Sequence, residues 1–318
     1  MKNYTHYSFY ASALIMVMLS LFSSPAVAQN EAVDELEEGN KPVRAPFESS
    51  FILENQTVVV PEKGTLEFMI QHRFGTLENG VKDLWGLFAD AGSNIRLGLN
   101  YTLFGKIGIG SFKGPLAIGI GSTRNKRIQD VNFKYGILQQ TRNNRIPVSV
   151  TYFGNVSMET QQSREGLPNK NETDRYSFFH QLIISRRFNS ALSVQIAPSV
   201  SHYNVIDPSM YNDHWAVALA ARYKISPQTA VILDVDQPLN GLEPIFPVHL
   251  SNNPQPNFSL GFEIATSAHA FQVFVTNFSA LNPQRNNVFN QNAPLKDGDK
   301  DFGDGFLIGF NITRLWNF

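Results

Sequence analysis

The sequence predicts an all-β protein, a transmembrane antiparallel up-and-down β-barrel of about 12 strands preceded by a cleaved signal peptide. Three observations predict it. From Gly64 onward, apolar and polar residues alternate with a period of two. The connections between the alternating segments are sorted into long and short, as in outer-membrane barrels. The last segment, Phe306 to Phe318, alternates out to a terminal aromatic.

The chain of 318 residues opens with an export signal. Lys2 and His6 lie in a short polar region of weak positive charge. An apolar run follows from Ala11 to Phe22, then Ser23, Ser24 and Pro25. The small-x-small site Ala26-Val27-Ala28 places cleavage before Gln29. The apolar run falls short of the roughly 20 residues a spanning helix needs. The resulting division is a signal peptide over 1–28, a periplasmic N-terminal arm over 29–63 and the outer-membrane barrel over 64–318. Glu31, Asp34, Glu35, Glu37 and Glu38 make the arm acidic and poor in apolar residues. Phe51 to Val60 is more apolar and reads either as an early strand or as a segment tucked into the barrel mouth.

Composition narrows the classes. After the export signal no stretch is apolar enough for a transmembrane helix, and a hydrophobic fraction of 42% with a mean hydropathy of −0.18, ordinary for a soluble protein, does not exclude a barrel, whose strands average apolar and polar faces. A net charge of −1 without a long basic run gives nucleic acid nothing to bind. With no cysteine, disulfides, thiolate metal sites and cysteine nucleophiles are excluded.

The strands follow in order, with expected starts at residues 64, 95, 115, 129, 147, 174, 190, 213, 228, 257, 269 and 305. In the first, Leu66, Phe68, Ile70, His72 and Phe74 face lipid, and Glu67, Met69, Gln71 and Arg73 face the lumen. In the second, Ile95, Leu97, Leu99, Tyr101 and Leu103 oppose Arg96, Gly98, Asn100 and Thr102. Later strands repeat the rule. Trp215, Val217, Leu219 and Tyr223 oppose a row of alanines ending in Arg222 and Lys224. Around 104–115, Ile107-Gly108-Ile109-Gly110 is echoed by Ile118-Gly119-Ile120-Gly121, which fits a long hairpin or an extra strand. Short connections fall at Phe188-Asn189-Ser190, Ser226-Pro227-Gln228 and Ser267-Ala268-His269. Long ones run near 75–94, 159–173, 204–212, 237–256 and 279–304. The segment Asp83-Leu84-Trp85-Gly86-Leu87-Phe88 is apolar for a loop and either packs on the rim or folds inward as a constriction.

In the terminal strand Phe306, Ile308, Phe310, Ile312, Trp316 and Phe318 share a face, interrupted by Arg314. Trp316 and the terminal Phe318 form the candidate signal for the barrel-assembly machinery. The blocks Leu66-Glu67-Phe68 with Ile70 and His72-Arg73-Phe74-Gly75, Asp83-Leu84-Trp85-Gly86-Leu87, and Asn94-Ile95-Arg96-Leu97-Gly98 carry a family likeness. Over nearly all of residues 45–318 the chain resembles an uncharacterised outer-membrane β-barrel family, a domain of unknown function. The stretch at 104–115 is longer than that family's pattern. The resemblance implies fold and location and brings no catalytic residues.

The alternation assigns Arg73, Arg96, Lys134, Arg175, Arg187, Arg222 and Lys224 to the lumen, with Glu67, Asp234, Asp236 and Glu263. This basic excess favours anions if the lumen holds water; a lumen filled by its own salt-bridged side chains is the alternative. His72, His180 and His202 fall on the outward face. Asp297, Asp299 and Asp301 form a candidate calcium loop that lacks the terminal glutamate, Ile308 standing there instead. No G-x-S-x-G elbow is present and no enzyme is expected. The expected function is a passive porin-like channel for small solutes in the outer-membrane lipid. The alternatives are a structural or adhesion barrel whose outer loops bind a partner, and a lipid hydrolase with a histidine site on the exterior.

Overall fold

The computed structural model describes residues 39–76, 93–110, 112–161, 171–239, 254–292 and 305–318. The signal peptide, the Asp83–Phe88 segment and the Asp297–Asp301 loop lie outside the described residues. Two short strands come first, β1 (Phe51–Ile52) and β2 (Asn55–Gln56). The barrel strands are β3 (Thr65–Thr76), β4 (Asn94–Ile109), β5 (Phe112–Thr123), β6 (Ile128–Leu138), β7 (Ser149–Glu159) and β8 (Tyr176–Arg187). They continue as β9 (Leu192–Tyr203), β10 (Asp213–Lys224), β11 (Thr229–Pro238), β12 (Asn257–Ala265), β13 (His269–Thr276) and β14 (Leu307–Asn317). Each pairs antiparallel with its neighbour in sequence, and β14 closes on β3 with Asn317 opposite Thr65. The twelve-strand closed barrel matches the expected count, and every strand starts within three residues of its expected position.

The doubtful stretch at 104–115 is a long hairpin. β4 runs on to Ile109, turns at Gly110 with φ +58°, and pairs Ile109 with Phe112. The Tyr135 hydroxyl donates to one of two carbonyls within 3.1 Å, those of Ile107 and Phe112, and ties the hairpin foot to β6.

The barrel is inside out relative to a water-soluble protein. Ile120, Val131, Phe262 and Val273 are more than half exposed on its outer surface, whereas Glu67, Gln71, Arg73, Gln195 and Ser259 are buried inside. Such a surface is stable only against lipid, where closure also removes the unpaired sheet edges. Short turns, the start of β3 and the end of β14 lie at one rim, called here the turn rim. The long connections lie at the other, the loop rim.

Of the arm expected over 29–63, the described residues from 39 on do not all stay outside the barrel. Residues 39–43 run along the turn rim, where Pro42 bridges to Thr141 and the Val43 N–H donates to the Gln140 carbonyl at 2.9 Å. Residues 47–60 then enter the lumen and return. Their tip is the β1–β2 hairpin, with Phe51 opposite Gln56 and Leu53 at φ +53° in the turn. Phe47, Ile52, Leu53 and Val58 pack against inward Phe153, Phe179, Ile183, Ile232 and Phe274, and against Ala197, Ala218 and Ala220. The alanine row on β10 explains the fit, because small side chains leave room for a guest. An eight-stranded barrel is filled by side chains alone and a sixteen-stranded one holds a water channel, so twelve strands leave an intermediate bore.

Candidate functional site

The site is the lumen itself, and it is built mostly by hydrogen bonds from wall side chains to the main chain of the plug. The Lys134 ammonium donates to the Ser50 carbonyl at 2.7 Å. Gln272 donates to the Phe51 carbonyl at 3.0 Å and accepts the Leu53 N–H at 3.1 Å. Arg73 and Asn311 both donate to the Leu53 carbonyl, at 3.0 and 2.9 Å. The Asp234 carboxylate accepts the Glu54 and Asn55 N–H groups at 3.2 Å, and the Asn55 carboxamide reaches both Asp234 and Asp236. Gln195 donates to the Gln56 carbonyl at 2.7 Å and Thr151 to the Val58 carbonyl at 2.8 Å. Ser50 in turn donates to Glu67 at 2.6 Å. A buried loop must have its main-chain groups satisfied, and the wall does this without adding a strand.

The loop rim closes the bore from the other side. In the long connection before β14, a helix α1 (Pro283–Phe289) folds inward, with proline in its first turn, where no N–H is needed. The Gln284 carboxamide donates to Asn155 and Ser157 at 3.0 and 2.8 Å, and Arg285 pairs with Glu159 at 2.5 Å. Val288 packs with Tyr203 and Ile206. Asn286 donates to the Glu54 carboxylate, so helix and plug meet. The described cavities along the bore are small. One of about 20 Å³ lies between the hairpin tip and α1, and one of about 10 Å³ lies beside Lys134. A wider vestibule of about 330 Å³ opens at the turn rim, lined in part by Arg44, Glu48, Glu67 and His269.

Fixed ion pairs brace the wall. Arg96 meets Asp130 through two bonds, 3.0 Å from Nε and 2.7 Å from Nη2. The pair lies flat over the cross-strand glycines Gly98 and Gly121; a Cβ at Gly121 would sit 2.2 Å from the Arg96 guanidinium. Arg222 bonds Glu263 at 2.7 Å, and Glu48 of the plug lies 3.6 Å away.

Of the lumen residues read from the alternation, Glu67, Arg73, Arg96, Lys134, Arg222, Asp234, Asp236 and Glu263 are buried in the bore. Three are not in its middle. Arg175 ends a 3-10 turn at the loop rim, 3.8 Å from Glu172. Arg187 lies at the turn rim, bonded to the Asn189 carbonyl, and Lys224 is half-buried at the same rim. Two inward carboxylates were missed, Asp130 and Glu159, both buried. Asp130 shares a parity with Lys134 on β6, so the alternation itself could have found it. Among the described residues, four buried cations on the inner face of the wall stand against six wall carboxylates, so no basic excess lines the described bore. Strand parity says which face a residue takes and not how near a rim it falls.

On the outer face His72 is buried by stacking on Phe310, with ring centroids 5.0 Å apart. His180 bonds the Tyr152 hydroxyl at 2.5 Å and His202 bonds Asp213 at 2.7 Å. At the turn rim Arg314 lies over the Trp316 ring and bonds His269, while Phe318 is fully in the open at 85% exposure.

These features define a class: a membrane β-barrel whose bore is filled by its own N-terminal hairpin. The chain belongs to the membrane bound beta barrel domain family (DUF5777), which matches residues 47–316. The match begins at Phe47, where the segment enters the lumen, so the plug is part of the family domain. No curated protein matches the chain. Among solved structures, an outer membrane channel from Pseudomonas putida F1 is similar at 10% identity and a TM-score of 0.44, over 81% of this chain and 97% of that one. The KdgM porin is similar at 7% identity and 0.43, over 80% and 99%. The NanC porin is similar at 8% and 0.42, over 80% and 99%.

Proposed function

We propose that the chain is an outer-membrane channel for small solutes that rests closed, its turn rim in the periplasm and its long loops outside. The observation that carries this reading is the independence of wall and plug. Every barrel strand, including the β14–β3 seam, is paired on both sides by another barrel strand. The plug can therefore leave without unzipping the wall, and the wall behind it carries polar and charged residues of both signs beside the apolar patch around Phe153 and Phe179. Lipid surrounds the apolar outer face, and Trp316 and Phe318 mark the strand offered to the assembly machinery.

Planar-bilayer recording tests this. The full chain gives rare, brief openings, and a chain lacking residues 46–60 and carrying Gln284→Ala to loosen α1 conducts steadily. A deleted chain that inserts, keeps heat-modifiable gel mobility and never conducts overturns the channel. That outcome moves the function to the second reading, a non-conducting barrel with partner-binding loops, which the two-sided filling of the bore favours.

A further inference from the structure

The bore holds a peptide, and the way it is held is informative. Gln272 donates to the carbonyl of residue 51 and accepts the N–H of residue 53. That is the pattern the N–H and C=O of one residue in a parallel neighbouring strand would make. Asp234 takes two consecutive N–H groups, and Asn311 and Gln195 each take a carbonyl. These contacts read main-chain atoms, which every peptide has. The apolar patch around Phe153 and Phe179 receives side chains between them. The wall also has acceptors that the plug does not use. Among the described residues, the side-chain carbonyls of Gln181 and Gln195 are buried beside the hairpin without a hydrogen-bond partner. A ligand richer in N–H donors than the hairpin would fill them.

We propose that the lumen wall is a main-chain-reading site for short oligopeptides that fold back in a turn, and that residues 50–58 occupy it as an internal stand-in. The inference rests on the channel reading and gives that channel a substrate class. Cations and carboxylates both line the bore, which suits the two charged ends of a short peptide better than an anion.

The chain has no cysteine, so Val58→Cys places a single thiol on the buried plug. Maleimide labelling of the folded protein then reports plug release. Leu53→Ser is added to loosen the tip. The probes are a peptide of the Ser50–Val58 sequence, a shuffled peptide of the same composition, and a maltooligosaccharide of similar length. Both peptides at millimolar concentration speed labelling about tenfold, and the sugar does not. Gln272→Leu with Asn311→Leu in the wall abolishes the peptide effect. No acceleration by either peptide overturns the proposal. So does equal acceleration by the sugar, or acceleration by the native sequence alone. If the doubly substituted chain does not fold, the Val58→Cys chain alone gives the same readout. Conductance of the same protein separates the two claims. A silent barrel with peptide-driven labelling keeps the site and loses the channel, and a conducting barrel indifferent to peptide loses only the site.

Discussion

Replacing Asp234 with alanine should release the plug. This one carboxylate accepts the N–H groups of Glu54 and Asn55 at 3.2 Å and the Asn55 side-chain amide at 3.0 Å. Alanine orphans two buried main-chain donors at about 1–3 kcal/mol each. Removing a negative charge beside Asp236 and Glu54 offsets part of that cost. The balance is about 2–4 kcal/mol against docking, or roughly 30- to 1000-fold in the docked-to-released ratio. Labelling of the Val58→Cys thiol reads this ratio directly as long as the plug recloses faster than it reacts. Asp234→Asn is the control. It keeps an oxygen for the main-chain N–H groups and sheds the same charge, so its effect should stay below about tenfold. A folded Asp234→Ala protein that labels less than about threefold faster, or an asparagine variant as severe as alanine, would refute the reasoning.

Three further outcomes are expected. Gly121→Val drives a side chain into the Arg96–Asp130 pair and should cost about 2–4 kcal/mol, read as a lower denaturation midpoint in heat-modifiability gels. Asn286→Asp sets a carboxylate against Glu54 and should lift α1, seen as faster proteolysis within 277–292 while the barrel stays intact. The Glu54 carboxyl in the hairpin turn is held well above the usual glutamate range by burial, and then by Asp236 and Asp234, against the Asn286 bond and Arg73. The docked plug therefore binds this proton more tightly than the released one. Docking is strongest below the ordinary glutamate value and weakens as pH rises through the raised one. Labelling corrected for thiolate fraction should rise with pH, and Glu54→Gln should flatten the rise; an unchanged slope in that variant would dismiss Glu54 as the cause.

The wall was legible in the sequence because its rule is local. A period of two, repeated between turns, places each strand and tells inward Arg96 from outward Leu97. The same rule marked the Arg/Lys row but set Arg187 and Lys224 alongside Arg73, since parity carries no depth. The plug obeys no period. Phe51 to Val60 showed only as an apolar patch with two readings, and both hold: it pairs as β1–β2 and it sits in the bore. Its partners are far off in sequence, Asn55 with Asp234 and Leu53 with Gln272, and no local pattern encodes such contacts. Helix α1 is equally hidden. Its buried face is Gln284, Asn286, Asn287 and Val288, mostly carboxamides that read as loop until a polar bore is there to receive them.

The plug is fastened at both ends. Upstream, Pro42 and Val43 are pinned to the 139–146 turn; downstream, the Gly64 N–H donates to the Thr102 carbonyl at 3.0 Å. Whatever releases the hairpin cannot let it diffuse away. A tethered blocker of this length meets its own site at an effective concentration on the order of millimolar. Reclosure is then a first-order event, with the same rate in a sparse membrane as in a crowded one. Each barrel keeps its own clock, and the dwell time of the open state is fixed by the hairpin and its two anchors rather than by how many copies the membrane holds.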